Sequence, residues 1–123
     1  MKQGVFLILF TFSCGAMADW VEYATRSNGD VFSFDAARVQ KADDQVNVWS
    51  RIRYKTSVMG AASQQSHLEI DCTEQSEKTL QSTFFSDKAW TTPAMATNTR
   101  PKPSKKIKSN SATEQLAELL CQK

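Results

Sequence analysis

The chain has 123 residues, of which 41% are hydrophobic and 23% charged, with 15 Lys and Arg against 13 Asp and Glu. That length holds one domain with a modest core and excludes a multidomain machine. A formal net charge of +2 lacks the basic footprint of a nucleic-acid binder, so nucleic acid is not an expected partner.

Lys2 precedes an apolar run from Val5 to Phe12 that closes in Ala16-Met17-Ala18. A run of about ten residues is half the roughly 20 that a helix needs to cross a bilayer, and its flanks are those of a secretory leader. Residues 1–18 are therefore expected to be a cleaved signal peptide, Asp19 the first residue of an exported domain over 19–123, and a transmembrane segment is not expected. A lipid-modified start at Cys14 is the lesser alternative, because Phe12 is bulky for the approach to such a site. The expected location is the periplasm or the cell surface. Loss of the leader removes Cys14 and leaves Cys72 and Cys121. An oxidising compartment joins such an even pair as the one intramolecular disulfide it allows.

In chain order, Trp20 to Tyr23 and Val31 to Phe34 form two strands separated by Asn28-Gly29-Asp30, residues that tolerate positive φ in a hairpin. Asp43-Asp44 makes a turn before Gln45 to Tyr54, where Val46, Val48, Ile52 and Tyr54 alternate with Asn47, Arg51 and Arg53. A period of two means a half-buried strand. The alternation returns in His67 to Cys72, with Leu68, Ile70 and Cys72 inward, and Leu80 and Phe84 mark a further strand over Thr79 to Phe85. Thr91 to Ser104 holds all three prolines and no periodicity, which predicts an exposed loop, rich in Pro, Thr and Lys, across 91–106. The period then changes. Ser111 to Glu114 is a capping box, and Ala112, Leu116, Leu119 and Leu120 make a helical stripe that ends at Cys121. The expected fold class is α+β: a small antiparallel β-sheet with a C-terminal helix packed on one face and tied there by the disulfide.

Trp20-Val21, Asp35 after an aromatic strand, Val46-Asn47-Val48-Trp49, Glu69-Ile70-Asp71-Cys72 and the helix from Ser111 to Cys121 occur in that order. This ordered set resembles the surface-adhesin protein E family over nearly all of 19–123. The resemblance implies an antiparallel sheet backed by a C-terminal helix and a location in the bacterial envelope. It also implies adhesion, since the best-known member binds host matrix proteins. The chain departs from the family at the helix approach, where Ser109-Asn110-Ser111 replaces the usual Pro-Gly-Ser.

Two surface features are candidate binding residues. Arg100, Lys102, Lys105, Lys106 and Lys108 place five cations in nine residues, a patch that would attract an anionic polymer through its summed field. Trp49 shares parity with Arg51 and Arg53 on the polar side of its strand, an aromatic flanked by cations that suits protein or sugar contacts. Trp49 packed beneath a loop is the plainer alternative, and Trp20 and Trp90 are expected as edge or core packing. His67 alternates with Glu69 and Asp71, too few ligands for zinc when the cysteines are oxidised, so neither metal nor cofactor is expected. No nucleophile elbow, phosphate-cradling glycine loop or Cys-His pair occurs, and no catalytic residue is assigned.

The function expected from these features is that of an exported envelope interaction module, adhesin-like, which binds a protein or an anionic polymer of the envelope or host surface and is not an enzyme. The alternatives are a periplasmic inhibitor or immunity-type protein that inserts 91–104, with its neutral tip near Ala94 to Thr97, into an enzyme's cleft, and an accessory subunit of an envelope complex.

Overall fold

A computed structural model describes residues 18–122. The strand periodicity becomes an antiparallel meander: β1 (Trp20–Thr25), β2 (Val31–Asp35), a 3-10 turn (Ala36–Arg38), β3 (Gln40–Ala42), β4 (Gln45–Val58), β5 (Ala61–Asp71), β6 (Ser76–Phe85), β7 (Ala96–Asn98) and β8 (Lys105–Lys106). One helix follows, α1 (Ala112–Leu120). The strands form a single sheet in the order β1-β2-β4-β5-β6-β7, with β3 on β4 and β8 on β6. The expected leader and the Cys14 alternative lie outside the described residues, apart from Ala18. Among those residues no helix is long and apolar enough to cross a membrane.

Turn chemistry places the strands. Gly29 takes φ 95°, while the Asn28 side chain accepts from the Asp30 amide at 3.0 Å, so the β1–β2 hairpin closes where the sequence set it. Asp43 takes φ 56° before β4. Asn110 takes φ 64° just ahead of the helix, supplying the left-handed residue for which Asn is next best after Gly. Ser111 Oγ accepts from the Glu114 amide at 3.1 Å, and the Glu114 carboxylate accepts from the Asn110 amide at 3.0 Å. The capping box is thus closed one residue earlier than its usual form.

The apolar alternation of β4 and β5 points at the helix. Phe34, Val46, Val48, Leu68 and Ile70 pack against Leu116, Ala117 and Leu120, with Val48, Ile70 and Leu116 fully buried. Cys72 and Cys121 are bonded across a sequence separation of 49, with Cα atoms 5.6 Å apart, as expected. Leu119 departs from the expected stripe and is 49% exposed. The helix is rotated so that small Ala117 meets the sheet, which leaves Leu119 at the rim.

Two other expectations are corrected. Residues 91–106 are exposed apart from Thr92, but they are not irregular throughout, because Ala96–Asn98 and Lys105–Lys106 pair with β6. An edge strand of two or three residues carries no detectable period, so the sequence could not reveal it. Leu80 sits where β6 slips register against His67 and Leu68, and such a bulge breaks the parity assumed for Thr79 to Phe85.

The bridge closes a long loop in the unfolded chain, a constraint worth roughly 4 kcal/mol. Cys121→Ser is expected to lower the unfolding free energy by about 2 to 5 kcal/mol in denaturant titration, with the helix losing its protection from hydrogen exchange before the central strands.

Candidate binding face

Residues directly opposite one another on paired strands share a face. The sheet face away from the helix therefore carries Trp20 with Asp35, Ser33 with Arg51, Trp49 with His67, and Arg51 with Gln65. The Arg51 guanidinium lies 4.0 Å from the Trp20 ring centre and 4.5 Å from that of Trp90, so it is held between two indoles, and its Nε donates to Gln65 Oε1 at 2.9 Å. Next to it, Trp49 stacks on His67 with centroids 4.6 Å apart and planes 11° from parallel, and Arg38 lies 5.5 Å from the Trp49 ring centre. Alternating cations and aromatics thus form a platform over β2, β4 and β5.

Trp20 and Trp90 were expected as edge or core packing, and Trp20 stands on β1 at the edge of the sheet. Both are half-buried against Arg51. Trp90 comes from the loop after β6, and no sequence signal reaches across that distance. One trace of it lies in the backbone, because Trp90 holds φ 56°. A bulky residue in the left-handed region costs about 1 kcal/mol or more, a strain that persists where the surroundings fix it. Here they do so. The Asp87 carboxylate accepts from the Thr91 and Thr92 amides and hydroxyls, and Trp90 Nε1 donates to the Gln64 carbonyl at 3.1 Å. Those bonds, the Thr91 hydroxyl foremost, hold the Asp87 carboxyl well below its ordinary value.

Beneath the platform, Asp35 is fully buried at the end of β2. Its carboxylate accepts from the Asp19 amide at 2.9 Å and the Ala37 amide at 3.0 Å, and pairs with Arg38 Nε, whose guanidinium it aims toward Trp49. Burial pushes the Asp35 carboxyl up, but the bonds from Arg38 and the two amides outweigh it, and the group lies below its ordinary 3.8. Burial holds the His67 imidazole below 6.5, with Arg38 adding to that effect and Glu69 opposing it. His67 therefore meets Trp49 as a neutral ring at neutral pH. Burial, and then the charge of Arg38, lower Arg51 from its ordinary value.

The basic run lies elsewhere. Arg100, Lys102, Lys105, Lys106 and Lys108 are all exposed and flank the outer edge of β6, two strands away from β4. Acids interleave with them: Lys106 Nζ lies 3.8 Å from Glu74 and donates to its carbonyl at 2.7 Å, while Lys105 pairs in register with Glu77. Of the other expected residues, Trp49 and Arg51 are half-buried in the platform, and Arg53 is exposed farther along β4. Among the described residues no group of three or more His, Cys, Asp or Glu converges as metal ligands would.

The surface-adhesin protein E family matches residues 20–122. The chain belongs to this family. Its fold agrees with that of solved relatives. Two structures of Haemophilus influenzae protein E superpose with TM-scores of 0.67 and 0.64, each at 10% identity and over 83% of this chain, covering 86% and 83% of theirs. A crystal structure of protein E from non-typeable Haemophilus influenzae gives 0.63 at 10% identity, over 83% of this chain and 74% of that one. No curated protein matches the chain in sequence. In this member of the surface-adhesin protein E family, α1 covers one face of the sheet, and among the described residues no helix covers the platform face.

Asp35 gives the domain an acid limit whose sign follows from its lowered folded-state value. The contribution is complete above about pH 4 and is lost as pH falls through the folded value. Asp35→Asn is expected to cost about 2 kcal/mol at pH 7 and to flatten the decline of stability as pH falls below the ordinary carboxylate value, measured by denaturant titration at a series of acid pH values.

Proposed function

We propose that the chain is a non-enzymatic, adhesin-like binding module of the bacterial envelope, exposed to the periplasm or the cell surface, and that it engages a protein partner through the cation–aromatic platform. The observation that supports this most is Arg51 held between Trp20 and Trp90. Trp and Arg are the residue types that dominate binding energy at protein interfaces, and they do so where rigid neighbours fix their orientation in advance. Both indoles are fixed here, Trp20 by β1 and Trp90 by its strained loop.

Family membership supports adhesion as the broad role, and the resemblance makes matrix proteins the first partner class to screen. The basic run suits an anionic polymer less well, because neighbouring acids offset part of its field.

The test is a surface-binding assay of the disulfide-bonded protein against a panel of matrix glycoproteins. For any partner found, Trp20→Ala with Trp90→Ala should weaken binding by more than about 2 kcal/mol, roughly thirtyfold, while circular dichroism and melting show a retained fold. Alanine at Lys105, Lys106 and Lys108 together should leave affinity within about twofold. The reverse pattern, tolerance of the tryptophan changes and loss with the lysines, transfers the function to the β6 edge and to an anionic polymer.

A further inference from the structure

Among the described residues, five large hydrophobic side chains are exposed, and three of them, Val58, Met59 and Met95, gather at the tip of the β4–β5 hairpin. Met59 is 97% exposed. Val58 pairs with Ala61, so Met59-Gly60 is a two-residue turn, and both residues hold positive φ, 53° and 85°. A turn of that kind favours Asn-Gly, since Asn enters the left-handed region more readily than Met. Met59 is thus unfavourable to the backbone and gains nothing from burial. Met95 joins it from the segment after β6. The Met95 methyl lies 3.5 Å from the place where a Cβ on Gly60 would stand, and the Met95 amide donates to the Phe84 carbonyl at 2.8 Å.

Behind this apex stand two exposed cations. Lys88 Nζ donates to the Lys55 carbonyl at 3.1 Å, and among the described residues neither lysine forms an ion pair. A protruding apolar tip with cations set back from it matches the depth profile of an anionic bilayer, with acyl chains below charged headgroups. We propose that the hairpin tip is a membrane-docking element, Val58, Met59 and Met95 entering the acyl boundary of an anionic lipid surface while Lys55 and Lys88 meet its headgroups. The platform contributes no residue to this tip.

Flotation of the disulfide-bonded protein with phosphatidylglycerol vesicles and with neutral phosphatidylcholine vesicles tests the assignment. The protein should rise with the anionic vesicles and partition at least several-fold less to neutral ones. Met59→Asn with Met95→Gln should reduce partitioning about tenfold without lowering the melting temperature, because Asn suits the turn. Lys55→Glu with Lys88→Glu should reduce it to a similar degree, and salt should mimic that loss. Protein left at the bottom of the gradient with both vesicle types, as for a tip that enters a protein groove, overturns the proposal. Partitioning that survives the methionine changes overturns it as well, and equal binding to both vesicle types removes the role of the lysines.

Discussion

The structure depends on one scarcity: among the described residues, a sheet with two faces has a single nine-residue helix to cover it. The helix is too short to remain on the sheet by its own propensity, since isolated helices below about 12 residues are marginal in water. Burial of Leu116 and Leu120 against Val48 and Ile70 holds it, and the Cys72–Cys121 bond fixes its last turn to the end of β5. With the helix pinned there, one face becomes the core and the other must be satisfied by other means.

Polar and aromatic groups satisfy it. Arg51 finds two indoles and Gln65, while Trp49 finds His67 and Arg38. Asp35 links this face to the core side of the fold, because it caps the 3-10 turn, takes up the Asp19 amide and orients Arg38 from a fully buried position. A buried carboxylate with three donors is stable where an unpaired one would not be. The same cluster therefore anchors the N-terminal strand and shapes the surface offered to a partner.

Among the described residues five non-glycine positions hold positive φ, and two of them carry large apolar side chains. Trp90 is held in the left-handed region by the bonds of its loop and delivers an indole to Arg51; Met59 occupies a turn site better suited to Asn and delivers a thioether to solvent. Strain of this kind concentrates where a surface has a task besides folding. The platform and the hairpin tip are the two parts of this surface where conformational cost and exposed apolar chemistry coincide.

The strands long enough to show a period, the β1–β2 turn, the capping box, the disulfide and the family resemblance were legible in the sequence because each is a local pattern: a period of two, a pair of turn residues, a cap spacing or an even cysteine count. Local patterns also identified Trp49 and Arg51 as facing away from the core. They missed the partners of Arg51, since Trp20 and Trp90 lie 70 residues apart in sequence and meet only after β1 and the loop beyond β6 have been placed at opposite sides of β4. They could not show that strand pairing brings Glu74 and Glu77 beside the lysine run, because charge in sequence carries no register. The sequence by itself determined which residues alternate, turn, cap and cross-link, all properties of short stretches of chain. Only the tertiary structure decided which side chains share a face, because that depends on strand order and register, and these follow from burying one apolar surface beneath one helix.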